Sequence, residues 1–568
     1  MSTDIRQQIG TSSTGLVVLT NADAEEHEEA PVQPSGMRSK GIRFWLVFLA
    51  ICVSLFLSAF EFTAVSTALP TIVHDLNGED FVWVASAYAL AATALLPASG
   101  GMAQIFGRRP CMLLSLALFT LGSALCGAAK TMNWLIAART IQGAGGGSIL
   151  AISAIIISDL VPLAERALYN GFIGLTWAVA TAMGPIVSGA LAENGQWRWL
   201  FYLNLPLAGA AGVLVVLFLK IKTPQGSFRE KMARMDWIGN ALVIGSSTAI
   251  VLALTWGGVQ HPWSSAQILA PLIIGVLGLL SFLLYEARVA KHPLVPISLV
   301  SNRTSFSGYV QTFILPVLTV AVTYFIPVFY QACWGASPIR SGVLFFGISL
   351  TVGPFLILGA VSIAATKTYR VQHWIGWAAC LAGLGALSTL NEHTDIARAT
   401  GALIVFGFGS GLVYGATYFP VLAPLPVTEN AHAMAFFQFC RSFATVWGAT
   451  IGTAVLQTQL TKRLPAEFVD MLPDGVAIVY TAITVIPDLP EPLHTQVRVA
   501  FADSIRILWL VFIGICGIGA LASLLMKGLP LHTQLDEQWG MEEKEGQEST
   551  DEEEAQTAAP EIAPTLIQ

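Results

Sequence analysis

Residues 44–66 read FWLVFLAICVSLFLSAFEFTAVS, an unbroken apolar run whose one charged side chain is Glu61. A helix that crosses a membrane needs roughly 20 mostly apolar residues, so this run is read as a transmembrane span. Further apolar segments follow at about 82–104, 112–129, 134–158, 169–191, 200–219, 237–256, 268–285, 309–331, 343–364, 373–390, 399–423, 432–456 and 506–527. The reading is an all-α polytopic membrane protein with fourteen transmembrane helices. Composition agrees: of 568 residues 54% are hydrophobic and 11% charged, more apolar side chain than a soluble core could hide. Pro97, Pro316, Pro354 and the glycines within these segments do not argue against helices, because neighbours in a bundle satisfy the freed backbone groups.

The 29 Lys+Arg against 36 Asp+Glu leave no basic excess to meet phosphates, which excludes a nucleic-acid partner. The 7 cysteines sit in or beside apolar segments without a CxxC spacing, and the 9 histidines form no metal-ligand pattern. No metal and no cofactor is expected. The cluster Gly143, Gly145, Gly146, Gly147 lies inside an apolar helix and follows no strand, so it reads as close helix packing and not as a phosphate cradle. No GxxxxGK[ST] motif occurs, and ATP hydrolysis by this chain is excluded.

Basic residues near span ends set orientation. An inside N-terminus places Arg38, Lys40, Arg43, Arg108, Arg109, Arg166, the run Lys220 to Arg234, Arg288, Lys291, Arg303, Lys367, Arg370 and Lys527 in the cytoplasm. Only Lys130, Arg198, Arg340 and Arg398 then fall in outside loops. Both termini are expected inside. Residues 1–42 and 528–568 read as polar, acid-rich, disordered cytoplasmic tails. The loop 457–505 lies outside, with its short apolar stretch 475–486 expected as a surface helix.

Glu61 is the single carboxylate well inside a span, and Arg139 and Arg441 are the two cations so placed. An ionised group in that position is paired, protonated or faces water. Glu61 reads either as a proton-binding carboxylate or as a structural acid bonded to a neighbouring helix. With opposite helix directions, Glu61 and Arg139 fall at similar depth, which makes a switchable contact geometrically possible. Arg441, with Gln438 one turn before it, lines a cavity or ties spans together. Trp177 and Tyr330, with Gln331, are further candidates for a substrate cavity.

These residues carry a resemblance. The run Glu61-Phe-Thr-Ala-Val-Ser-Thr-Ala-Leu-Pro70, the segment Gly100-Gly-Met-Ala-Gln104-Ile-Phe-Gly107-Arg108-Arg109 and the segment Arg139-Thr-Ile-Gln142-Gly143 occur in order, followed by Gly184-Pro185-Ile-Val-Ser-Gly189, Trp197 to Pro206 and Ser337 to Gly342. From about Arg43 to Lys527 the chain resembles the fourteen-span drug:proton antiporters of the major facilitator superfamily, in particular fungal toxin and secondary-metabolite efflux pumps. Gln104 stands where that family's gating motif usually has Asp, which weakens the charge relay ascribed to it. The resemblance implies two six-helix bundles, 43–219 and 305–527, with an inserted helix pair in 220–304. It implies a proton-coupling role for Arg139, gating by Gly100, Gln104, Gly107, Arg108 and Arg109, and a bending helix at Gly184, Pro185 and Gly189. It implies no enzyme but a monomeric plasma-membrane pump whose partners are a small molecule, protons and lipid. The alternatives in the same superfamily are a siderophore transporter and a vacuolar basic amino-acid transporter.

Overall fold

The computed structural model describes residues 41–531 apart from 77–81, 164, 222–224, 258–260, 337, 470, 472–482 and 484. Of the expected tails only residues 41–42 and 528–531 are described, the Leu529 N–H donating to the Tyr369 hydroxyl and Leu531 packing against the apolar core; most of the stretch 475–486 lies outside the described residues. All fourteen apolar segments fall on helices. The first part of the chain forms α1 (Ile42–Leu76), α2 (Val82–Ala94), α3 (Leu96–Phe106), α4 (Arg108–Gly127), α5 (Met132–Leu160), α6 (Arg166–Glu193), α7 (Arg198–Tyr202) and α8 (Asn204–Phe218). The middle part forms α9 (Phe228–Ala233), α10 (Trp237–Trp256), α11 (Ala266–Arg288) and α12 (Ser298–Ser301). The last part forms α13 (Arg303–Trp334), α14 (Pro338–Leu344), α15 (Phe346–Thr366), α16 (Arg370–Leu387), α17 (Ile396–Ala416), α18 (Tyr418–Leu422), α19 (Asn430–Arg463), α20 (Ala466–Val469) and α21 (Leu493–Leu524).

Among the described residues, 11 helices are long and apolar enough to cross a membrane, or 12 when the bent pair Ser86–Ala94 and Leu96–Phe106 counts as one span. That pair bends by 45°. Pro97 lies in the first turn of α3 and has no N–H to extend the ladder of α2, so the helix breaks there. The helices α16 and α19 are not among the 11: both are helical, but Arg370, Gln372 and His373 in one and Asn430, His432, Gln438 and Arg441 in the other dilute their apolar character.

Helix ends carry local signals. Thr131 accepts from the Trp134 N–H ahead of α5, Ser227 and Glu230 form a reciprocal capping box on α9, and the Asp236 carboxylate accepts from the Gly239 N–H at α10. Gly335 closes α13 at φ 62°, a left-handed conformation that glycine adopts without a Cβ clash.

The apolar core falls into three parts. One cluster belongs to the first bundle alone and runs from Ala59 to Phe201; another belongs to the last bundle alone and runs from Ile314 to Cys516. The third draws on both bundles and the middle helices, from Phe44 and Ile152 through Phe282 to Phe419, Phe437 and Met526. It occupies the end of the molecule at which α1 begins and α21 finishes, here called the proximal end. The bundles are therefore packed together proximally and have separate cores distally. Between them α10 lies against α11 on one side and touches α2, α3 and α19 on the other. Leu269, Ile273, Ile274, Leu277, Leu280 and Leu284 of α11 are exposed, the arrangement lipid requires of an outer helix.

The glycine cluster of α5 packs as the sequence suggests. A Cβ on Gly147 would stand 2.1 Å from the Ala92 carbonyl oxygen of α2, and one on Gly145 2.4 Å from the Phe119 nitrogen of α4. Gly147→Ala must push α2 away, a cost of about 1–3 kcal/mol, whereas Gly514→Ala meets nothing within 4 Å. Thermal unfolding in detergent is expected to show a clear loss for the first and none for the second.

Candidate functional site

Glu61, late in α1, and Arg139, early in α5, meet directly. Arg139 Nη1 donates to Glu61 Oε1 at 2.6 Å, and Asn204 Nδ2 at the start of α8 donates to Glu61 Oε2, also at 2.6 Å. Both carboxylate oxygens thus have donors, and the side chain has no exposure. The guanidinium is held by several groups in turn. Its Nη1 also donates to Gln142 Oε1 at 2.6 Å, its Nε donates to the Val84 carbonyl at 3.0 Å, and its plane lies 4.4 Å from the Tyr88 ring centroid. Gln142 passes the network on by donating to Ser123 of α4 at 2.8 Å, and the Tyr88 hydroxyl lies 3.2 Å from that of Ser58.

Five helices therefore converge on one ion pair. A charge pair out of water persists only where the remaining donors and acceptors are also matched, and α1, α2, α4, α5 and α8 each supply part of that matching. Glycines make the convergence possible: a Cβ on Gly146 would lie 2.2 Å from the Tyr88 hydroxyl, and one on Gly184 of α6 would lie 2.3 Å from Thr63 Oγ1 and 3.2 Å from the Phe60 carbonyl. Gly184 thus lets α6 press on the turn of α1 that carries Glu61. Gly189 is half-buried further along α6, and the side chain of Pro185 lies outside the described residues. Asn204, Ser123 and Tyr88 do not stand out as site residues in the sequence reading. Asn204 alone carries a signal there, as the one amide in the apolar run 200–219.

The second cluster is proximal. Gly107 adopts φ 93° in the tight turn from α3 to α4. Beside it Arg108 donates from Nε to Asp159 Oδ2 at 2.7 Å and from Nη1 to the Ala103 carbonyl at 3.0 Å, while Arg109 donates to the Val216 carbonyl at 2.6 Å near the end of α8. Cations suit that position because the last carbonyls of a helix lack partners. Gln104 donates to the Thr428 carbonyl at 3.1 Å, a bond from the first bundle to the last. Gly100 is part of the same junction, where a Cβ would come within 2.7 Å of the Ala435 methyl. Arg166, at the proximal start of α6, donates to the carbonyls of Ser158 and Val161, and burial pushes its pKa down to about 10, so it stays charged at neutral pH.

The cavity candidates are dispersed. The Tyr330 ring is fully enclosed in the last bundle's own core, stacked 4.9 Å from Trp334. Gln331 donates to Ser341 at 3.1 Å, and Trp177 is half-buried against the first bundle's distal core. Arg441 and Gln438 are half-buried neighbours on α19, with the Arg441 guanidinium 3.4 Å from the Tyr414 ring centroid of α17. The structure brings Glu61 and Arg139 together and keeps both apart from the residues of α19 in separate bundles.

The family follows from comparison with known proteins. Residues 51–449 match the family model of the Major Facilitator Superfamily. The MFS-type efflux pump LUC4 of Fusarium sp is 39% identical over 95% of this chain and 97% of its own length. Efflux pump FUS6 of Gibberella fujikuroi is 40% identical over 89% and 93%. A solved structure of the proton:xylose symporter XylE shares the fold, with a TM-score of 0.52 at 13% identity over 86% of this chain and 98% of that one. The chain belongs to the major facilitator superfamily. It is a multi-pass membrane transporter and not an enzyme.

Removing one member of an enclosed ion pair costs about 3–5 kcal/mol, because the other charge is left unpaired. Arg139→Gln is expected to lower the unfolding temperature of the purified protein well below that of the double variant Glu61→Gln/Arg139→Gln, in which neither charge remains. Equal losses for the single and double variants would show that the pair is not coupled.

Proposed function

We propose that the protein exports a small, largely apolar organic compound, such as a toxin, secondary metabolite or drug, in exchange for protons. The observation that carries this reading is the enclosure of Glu61 against Arg139. Protonation removes the charge that holds the guanidinium and frees the contact between α1 and α5, and two bundle arrangements a few kcal/mol apart respond if proton and substrate favour different ones. The proximal packing of the two bundles and their separate distal cores suit the state open to the outside, in which Glu61 takes up its proton. The relatives named as efflux pumps support the outward direction of transport.

In this reading all fourteen helical segments cross the membrane. The helix α16 joins the proximal end of α15 to the distal start of α17, and α19 joins α18 to the distal loop before α21, so both must traverse the bilayer despite their polar residues. The bundles are 43–219 and 305–527, and α10 and α11 form the inserted pair within 220–304. The excess of basic residues in the proximal loops supports a cytoplasmic position for that end and for both termini. The protein works as a monomer in the plasma membrane, in contact with lipid, and Gly100, Gln104, Gly107, Arg108 and Arg109 form its inner gate. Arg441 is an interior cation with no ion pair among the described residues, which weighs against a basic amino acid as substrate.

Export of a panel of fluorescent and toxic compounds from cells lacking their own pumps tests the reading. Net efflux is expected to fall to the level of control cells both for Glu61→Gln and for the unaltered protein treated with a proton uncoupler. Unimpaired, uncoupler-insensitive efflux by Glu61→Gln would sink the coupling mechanism.

A further inference from the structure

We infer that the exported compound carries an acidic group, a carboxylate or enolate, which is bound by Arg441 and Gln438 of α19 beside Tyr414 of α17; this rests on the export reading above and names its substrate class.

Arg441 lies 11 residues into α19, about 16 Å along its axis at 1.5 Å per residue, well inside the membrane-crossing part. A cation at that depth is normally paired or faces an aqueous cavity. The enclosed Arg108 and Arg139 obey the first rule, with Asp159 and Glu61, and the enclosed Arg166 is met by the carbonyls of Ser158 and Val161. Arg441 differs. Among the described residues no carboxylate forms an ion pair with it and no acceptor takes a hydrogen bond from it; its contacts are the ring faces of Tyr414 at 3.4 Å and Phe437 at 5.5 Å. Stacking covers the faces of a guanidinium and leaves its five N–H groups free in the plane.

Those groups are not sealed in. None of the Arg441 nitrogens is among the fully enclosed polar atoms that lack a partner, and the same is true of the Gln438 amide and the Tyr414 hydroxyl. All three side chains are half-buried, and none of these groups makes a hydrogen bond within the described structure. Gln438 precedes Arg441 by one turn on the same face of α19, and Arg441 reaches across to Tyr414 on another helix. Three donor groups that are only partly covered, and that make no hydrogen bond among the described residues, thus stand together inside a membrane protein.

Their chemistry selects the ligand. A guanidinium fork matches a carboxylate or enolate with two parallel bonds, shorter and about twice as strong as neutral ones, and the amide and phenol can add one donor each. A cationic ligand would be repelled, and a neutral one would leave the charge uncompensated. The apolar remainder of the ligand has ring surface to meet in Tyr414 of α17 and Phe437 of α19, the two rings that flank the guanidinium. Glu61 cannot serve as the internal counter-charge, since both its oxygens are occupied in the other bundle.

The test uses the full-length protein in pump-deficient cells and one aromatic body in three forms: pyrenebutyric acid, its methyl ester and pyrenebutylamine. The wild type is expected to export the acid in preference to the other two. Arg441→Gln should reduce export of the acid at least about tenfold while leaving any export of the ester unchanged, and Arg441→Lys should restore part of it, because a charge remains but the planar fork is lost. Unfolding temperature and elution profile of each variant separate loss of binding from loss of fold, and a merely structural arginine would not distinguish acid from ester. Equal loss of all three compounds in Arg441→Gln, or wild-type export that prefers the ester or the amine, overturns the proposal. So does export of none of the three by a wild type that still exports other compounds in a Glu61-dependent way. Absence of any Glu61-dependent export from the wider panel defeats the export reading instead, and the acid-binding proposal falls with it.

Discussion

A carboxylate and a guanidinium shut together inside a bundle have no water to fall back on, so each must find every partner it needs among its neighbours. Glu61 and Arg139 do so with help from Asn204, Gln142, Val84 and Tyr88, and those residues come from helices far apart in the chain. The rest of the first bundle follows from this requirement. The glycines of α5 and α6 are where they are because helices that supply such short bonds must approach more closely than a Cβ permits. The same constraint makes the pair a sensitive element: neutralising either charge removes the reason for several other side chains to stay in place.

The second organising feature is the contrast between the two ends. Proximally the bundles share one apolar cluster and meet through a small-residue contact at Gly100 and Ala435. A direct polar tie between them is modest, the amide bond from Gln104 to the Thr428 carbonyl. A neutral hydrogen bond contributes about 0.5–1.5 kcal/mol net, against about 1.5–3 for one to a charged group. With Gln104 in the place of an acid, this junction depends more on packing than on charge, and packing can be parted and remade without stranding an ion in an apolar medium.

Much of this is legible in the chain itself. The fourteen apolar segments all became helices, because a stretch of twenty apolar residues has few other ways to satisfy its backbone. Glu61 and Arg139 stand out because charges are rare in such stretches, and the alternating direction of successive helices places them at one depth. The α5 glycines read correctly as packing because no strand precedes them. An aromatic near a helix end, such as Tyr330, looks the same in the sequence whether it faces a cavity or its own bundle. The polar character of α16 and α19 likewise lowers their apolar score although both pack among the other helices.

By itself, then, the sequence determined the class of protein, the places of its apolar helical segments, and the three charges that must be explained. What it left open is rotation. In a soluble helix the polar face marks the outside, but a helix in lipid is apolar on the face toward lipid and on much of the face toward its neighbours, so periodicity carries little contrast. Only the tertiary structure turns Asn204 toward Glu61, encloses Tyr330 beside Trp334, and leaves Arg441 and Gln438 with unengaged donors beside Tyr414. These differences arise from how each helix is rolled against the next, which is settled by close packing of small residues and by the pairing of buried polar groups across helices far apart in the chain.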